Sequence, residues 1–258
     1  MDREYNINKL SKDSTEKTTL IKYNTSPWIP RCVYSSRSTE DLLVGFLNTN
    51  TCREGKVLRY NSSGKHIQTI QFHNKTGQRL YDSPEYITEN RNGDVIVSDF
   101  GDLAVVVTDR RGGFRFSCKE SPKGSKLCPW GICTDALSNI LVCDIYSSTI
   151  HIFDKHGHFL AHLPTLDGIE RPLDLNYDDN THTIWVGSFN NNTVNIYRVI
   201  CGNFPTEDMQ CTNHPTKPSE KYCADCDLSL CEYCIDSKEH SGHEITEIHR
   251  KGGAMHSW

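Results

Sequence analysis

The chain has 258 residues, 36% apolar and 24% charged, with 17 Gly and 10 Pro. This is the composition of one large or two smaller globular domains, and it excludes a wholly disordered chain or a collagen-like fibre. The net charge of -5 is uneven: residues 1–200 balance 23 Lys and Arg against 23 Asp and Glu, while residues 201–258 hold 5 against 10. Neither part has the clustered cations that phosphate-driven nucleic-acid binding requires, the local runs being Arg110-Arg111 and Arg250-Lys251.

Residues 1–26 are polar and are expected either to be disordered or to supply an outer strand. Met1 to Lys17 lacks an apolar signal-peptide core, and the longest aliphatic run, Leu103 to Val107, is too short to span a bilayer. The expectation is therefore a cytoplasmic chain with no membrane partner. In that compartment the 12 Cys and 12 His read as reduced thiols and metal ligands rather than a disulfide framework. The Asn-x-Ser/Thr sequons at Asn24, Asn61, Asn74 and Asn191 then read as chance matches.

Residues 27–200 form a repeat. Its segments open at Pro27-Trp28, Pro84-Glu85-Tyr86, Pro129-Trp130-Gly131 and Pro172-Leu173-Asp174. Each runs into an apolar stretch centred on Val44, Val97, Val142 or Val186, and then into a second run at Lys56 to Tyr60, Ala104 to Thr108, Thr149 to Phe153 or Thr193 to Tyr197. Glycine turns at Gly64, Gly112 to Gly113 and Gly157 lead to outer runs at His66 to Phe72, Phe114 to Cys118 and Phe159 to Leu163. The repeat length is that of a four-stranded propeller blade, roughly 40 to 50 residues. Asn74 to Ser83 reads as an insertion forming a loop on one rim. Near-continuous Val, Ile and Leu runs fit strands covered on both faces, and one such sheet cannot bury both faces alone, so blades must stack. A β-sandwich is the competing fold, but it would not require a repeat.

These blades resemble the NHL-repeat family, most plainly at Asn92-Gly93-Asp94-Val95-Ile96-Val97-Ser98-Asp99 and Asp154-Lys155-His156-Gly157-His158-Phe159. The likeness is to the C-terminal propeller of tripartite-motif proteins, usually built of six blades, of which four are visible here. The fourth ends at Ile200 without an outer strand. In the family the N-terminal segment supplies it, a place Thr18 to Tyr23 would fill here.

After a linker at 201–210, residues 211–249 carry the sharpest signal: Cys211-x2-His214, Cys223-x2-Cys226, Cys231-x2-Cys234 and His240-x2-His243. A two-residue spacer lets one turn aim both side chains at a single ion, and eight Cys and His ligands fill two closed tetrahedral sites of the structural kind. With Tyr222, Leu228, Leu230 and Ile235 as its core candidates, so short a stretch cannot fold by burial alone. Two structural zinc ions would supply on the order of 10 kcal/mol per site.

This pattern is similar to a type 2 B-box. The resemblance implies a cross-brace, with Cys211, His214, Cys231 and Cys234 on the first zinc and Cys223, Cys226, His240 and His243 on the second. Spacing alone equally permits consecutive sites. Asp227 is the substitute ligand that the family pattern offers beside Cys226, and His249 lies outside the pattern. Ile245 and Ile248 would begin a helix that Gly252-Gly253 stops, and residues 250–258 form a tail. Cys133 and Cys143 read as small core residues, and Cys32, Cys52, Cys118, Cys128 and Cys201 lack ligand spacing.

The fold class expected is thus mainly β, a partial NHL-type propeller of about four blades plus a small zinc-stabilised B-box. The resemblance implies a protein-interaction scaffold that binds protein partners through the B-box and the propeller rim. No RING finger is present, so ubiquitin-ligase activity is not expected of the chain by itself, nor is any other catalytic activity. Tripartite-motif proteins place the B-box before the propeller. The reversed order here reads as a tail-to-head join of two family members, either a genuine fusion or an error of coding-sequence assignment. An RNA-binding propeller is the first alternative, disfavoured by the charge balance. A metal-dependent lyase or lactonase is the second, with His151 and His182 as candidate axial ligands.

Overall fold

The computed structural model describes residues 5–10, 16–23, 26–51, 53–119, 124, 126–164, 170–190, 192–198, 214, 217, 221–223, 228–237 and 245–247. The described chain is mainly β, a partial β-propeller of four blades followed by a small C-terminal fold of three short strands and one helical turn. No helix among the described residues is long and apolar enough to cross a membrane.

The chain starts with a hairpin, β1 (Tyr5–Leu10) against β2 (Lys17–Tyr23). The first blade has β3 (Trp28–Ser35), β4 (Leu42–Asn48), β5 (Gly55–Tyr60) and β6 (His66–Ile70) in sequential antiparallel order. The second repeats it with β7 (Pro84–Glu89), β8 (Val95–Asp99), β9 (Ala104–Thr108) and β10 (Phe114–Cys118). The third has β11 (Pro129–Thr134), β12 (Ile140–Asp144), β13 (Thr149–Phe153) and β14 (Phe159–Pro164). The fourth has, among the described residues, three strands, β15 (Pro172–Asp178), β16 (Thr183–Ser188) and β17 (Val194–Arg198).

Register confirms the repeat. Val44 stands between Val33 and Leu58, Val97 between Ile87 and Val106, and Val142 between Ile132 and His151. Each of these valines turns toward the preceding neighbour. Val97 joins Leu43, Val57 and Ile70 of the first blade in one apolar cluster, and Val142 joins Ile96, Val105 and Val107 of the second. Val44, in the first blade, packs with Ile21, Ile7 and Leu20 of the hairpin.

The hairpin therefore corrects the expectation for the N-terminal segment. Thr18 to Tyr23 does not complete the fourth blade; it pairs with β1, where Ile7 and Ile21 stand opposite one another. The reason is burial: this pair covers Val44, Phe46 and Leu58, which are 0, 0 and 7% exposed. The insertion differs from expectation too. Phe72 forms a bridge with Arg79 rather than extending β6, and Leu80 and Tyr81 are buried between the first two blades. Gly55 makes room for them, since a Cβ there would meet Tyr81 Cβ at 2.9 Å and Pro84 Cδ at 2.6 Å.

Polar side chains fix the turns. In the last turn of each complete blade, Asn61, Asp109 or Asp154 accepts backbone N–H groups two and four residues ahead, with a left-handed glycine between them. Gly157, at φ 90°, is held further by crowding: a Cβ there would lie 2.5 Å from the Phe116 ring of the second blade. At the end of the second strand, Asp99 accepts N–H groups from Asp82 (2.6 Å), Ser83 (2.7 Å) and Gly101 (3.0 Å), joining the loop that enters the blade to the turn that follows β8. Asp144 makes the same join to Cys128 (3.4 Å) and Tyr146 (3.0 Å), and the Ser188 hydroxyl donates to Glu170 O at 2.6 Å. Across the first two blades, buried Arg59 pairs with Glu89 at 2.7 Å and Asp41 at 3.3 Å.

Burial raises the Asp99 carboxyl to about 6, against the pull of the N–H groups of Ser83, Asp82 and Asp102. The folded chain thus holds this proton more tightly than the unfolded one, whose Asp titrates near ~4. Its contribution to stability is greatest at low pH and declines as pH rises from about 4 to about 6. Asp99→Asn is expected to flatten that part of the stability–pH curve in urea unfolding. Asp99→Ala, which removes the acceptor of three part-buried N–H groups, is expected to cost roughly 1–3 kcal/mol at neutral pH. Arg59→Ala leaves Glu89 buried without its cation and is expected to cost about 3–5 kcal/mol by the same measurement.

Candidate metal centre

Three short strands and one helical turn hold the described part of the C-terminal fold. Here β18 (Lys221–Cys223) lies between β19 (Leu228–Leu230) and β20 (Ile245–Glu247), both antiparallel to it, and α1 (Glu232–Asp236) follows β19. Ile245 begins a strand, not the expected helix: β-branched Ile245 and Thr246 pair with Cys223 and Tyr222. The small core is Leu230, 0% exposed, with Cys231, Cys234 and partly buried Ile235.

Cys231 caps α1 in extended conformation, and its carbonyl accepts the N–H groups of Cys234 (3.0 Å) and Ile235 (3.1 Å). That tight turn is the local reason the two-residue spacer works: it brings both sulfurs to one side of the first helical turn. Ser237 Oγ donates to the Cys234 carbonyl at 2.8 Å and closes the other end. His214 comes from a separate turn, in which the Lys217 N–H donates to its carbonyl at 2.8 Å.

His214 Nδ1 lies 3.4 Å from Cys231 Sγ and 3.3 Å from Cys234 Sγ. Among the described residues these three are the group of His, Cys, Asp or Glu side chains close enough to share one ion, with all ligand atoms within 4.8 Å of one another. Tetrahedral zinc with Zn–S near 2.3 Å and Zn–N near 2.0 Å sets neighbouring N and S atoms about 3.5 Å apart, so the donor set fits. The grouping is interleaved: His214 meets a Cys pair 17 and 20 residues downstream. Consecutive sites would join it to Cys223 and Cys226 instead. Cys211, Cys226, His240 and His243 lie outside the described residues, as do Asp227 and His249, and Cys223 is described only as part of β18. Beside the centre, Tyr233 is 62% exposed, with Lys217 Nζ 4.6 Å above its ring.

The propeller thiols are of another kind. Cys118, Cys128, Cys133 and Cys143 are buried, and burial pushes Cys118 up to about 12, Cys128 up to about 11, and Cys133 and Cys143 well above the usual thiol range. Cys32, in the first blade, is raised to about 12 for the same reason. Protonated thiols in apolar surroundings are fillers. His151 sits in β13 and is 4% exposed, with Nε2 3.5 Å from Asp144 Oδ2; burial lowers its pKa against the pull of Asp144. His182 occupies the turn before β16 at φ 52°. Sequence reasoning did not find the end-of-strand join made by Asp99, Asp144 and Ser188. Its visible trace in the sequence is the Asp that closes the apolar run at Asp99 and at Asp144.

The family model of the B-box zinc finger matches residues 206–248. No curated protein matches the chain. Among solved structures, the chain is similar to a protein of unknown function from Bacteroides caccae, at 12% identity and a TM-score of 0.54, over 71% of this chain and 64% of that one. It is similar to a luciferin-regenerating enzyme at 10% identity and a TM-score of 0.54, over 72% of this chain and 67% of that one. A chain of the nidogen/laminin complex aligns at 17% identity and a TM-score of 0.52, over 70% of this chain and 64% of that one. The chain thus spans less than two thirds of the first and last of these structures. At such identities the likeness carries the fold, a stack of propeller blades, and nothing of activity.

Proposed function

We propose that this chain is a non-catalytic, cytoplasmic zinc-binding scaffold of the tripartite-motif type, with the B-box and the NHL-like propeller each serving as a protein-binding module. The observation that carries the reading is the meeting of His214, Cys231 and Cys234 within a segment matched by the B-box family. In this reading Cys211 completes the first zinc site, and Cys223, Cys226, His240 and His243 form the second. Each ion would have its coordination sphere filled by protein, with no position open to substrate, so it would supply folding energy rather than Lewis-acid chemistry.

The residues of this chain do the positioning. The Cys231–Cys234 turn presents two sulfurs, the strand β19 brings Leu230 into the core with them, and His214 Nδ1 meets both. The exposed Tyr233 ring then stands on the zinc-stabilised surface as a contact for a protein partner.

Native mass spectrometry of the full chain is expected to show two bound zinc ions. The double variant Cys231→Ala/Cys234→Ala is expected to hold one ion fewer and to lose hydrogen-exchange protection across 221–247, while the propeller strands keep theirs. Cys133→Ala, in the propeller, should leave the zinc count unchanged. A metal-free wild-type chain protected at 221–247 would overturn the structural-zinc reading.

A further inference from the structure

The first strands of successive blades carry a bulge at the same place. Register slips between Pro30 and Cys32 in β3, between Pro84 and Tyr86 in β7, and between Pro129 and Ile132 in β11. A bulge re-aims the side chain it carries, and directly after the three prolines stand Arg31, Glu85 and Trp130. Arg31 and Glu85 satisfy one another at 2.7 Å across the first two blades. Trp130 instead meets two rings of the second blade, Phe100 at 5.1 Å and nearly perpendicular, and Tyr86 at 6.4 Å. From the fourth blade β15 approaches Gly131 so closely that a Cβ there would lie 2.5 Å from Asp174 Cα and 3.0 Å from its Oδ1. The carboxylate is thereby set beside the rings. Burial, and next the charge of Asp174, push the Tyr86 phenol up to about 12, against the pull of the Trp130 side chain.

This group lacks the cation that comparable rings have. Lys56 Nζ lies 3.7 Å from the centre of the Trp28 ring at the start of β3, and the Arg171 guanidinium lies 5.6 Å from that of Phe189 just after β16. Among the described residues no Lys or Arg stands over Trp130, Tyr86 or Phe100. Nor does any pair with Asp174, which is exposed and whose carboxylate accepts the Leu175 N–H at 2.9 Å. The faces of aromatic rings carry negative charge density, and a carboxylate beside them adds to the pull on a cation. The same carboxylate repels a nucleic-acid phosphate.

We propose that Trp130, Tyr86, Phe100 and Asp174 form a site for an arginine side chain of a protein partner. The inference rests on the reading of the propeller as a protein-binding module and names what that module recognises. A guanidinium is flat, stacks on an indole, and keeps N–H groups in its plane for a carboxylate, whereas an ammonium offers the ring no flat face.

The test is a titration of the full chain, labelled at its tryptophan indoles and followed by NMR, with N-acetylarginine N-methylamide, the uncharged leucine analogue and oligouridylate. The arginine compound is expected to move the Trp130 indole signal saturably, that signal being identified by its loss in Trp130→Phe. The Trp28 signal, already under Lys56, is expected to stay in place, and the other two compounds to leave Trp130 unmoved. Asp174→Asn is expected to weaken arginine binding at least about threefold, the loss of one exposed ion pair. A Trp130 signal that ignores arginine, answers the leucine analogue equally, or answers oligouridylate instead overturns the proposal. Should Trp130→Phe fail to fold, the arginine affinity of Asp174→Asn against the wild type decides, and equal affinities overturn the site. Native mass spectrometry of the same sample counts zinc independently. Lost arginine binding with two zinc ions retained strikes this site alone, and arginine binding without zinc strikes the structural-zinc reading alone.

Discussion

A sheet whose middle strand is apolar on both faces has no stable existence by itself, and most of this molecule follows from that constraint. Val97 and Ile96 are neighbours in β8, and they belong to different apolar clusters because they face different blades. Cover for one blade is core for the next, so stability is built between neighbours rather than within a blade. The hairpin obeys the same rule at the first blade, where two short strands cover Val44, Phe46 and Leu58.

The C-terminal fold meets the opposite situation. Its described core amounts to Leu230, Ile235 and two cysteines, too little to offset the entropy of ordering the surrounding loops. Side chains that would be filler in the propeller become ligands here. Cys143 and Cys234 are both buried cysteines, but Cys143 lies in the wholly buried strand β12 near Cys133, Asp174 and Asp144, whereas Cys234 faces an imidazole nitrogen as well as a second sulfur. The difference is made by neighbours, not by burial.

What the sequence reveals follows the range of the interaction responsible. The runs around Val44, Val97, Val142 and Val186 are legible because each strand carries its own apolar pattern, and the Cys and His pairs are legible because a two-residue spacer is a local geometric requirement. The β1–β2 hairpin is not: Asn6, Asn8, Lys17 and Lys22 dilute its pattern, and Ile7 and Ile21 acquire their role from a sheet that follows in the chain. Tyr81 looks like loop sequence until Gly55 is seen to make room for it. Ile245 and Ile248 suggest a helix because three residues are too few to display a period, and pairing with Tyr222 decides the matter. The meeting of His214 with Cys231 and Cys234 is likewise non-local, and spacing alone leaves it open.

The carboxylates at the ends of β8 and β12 also separate two jobs usually shared by one loop. By holding backbone N–H groups of both the entering loop and the following turn, Asp99 and Asp144 set the path of the rim without using the side chains found there. Phe100, Tyr146 and Phe189 stand exposed immediately beside these joins or the Ser188 counterpart. Residues at such places are free to change identity while the main chain keeps its course, so the blades can be conserved as a frame while the surface they present diversifies.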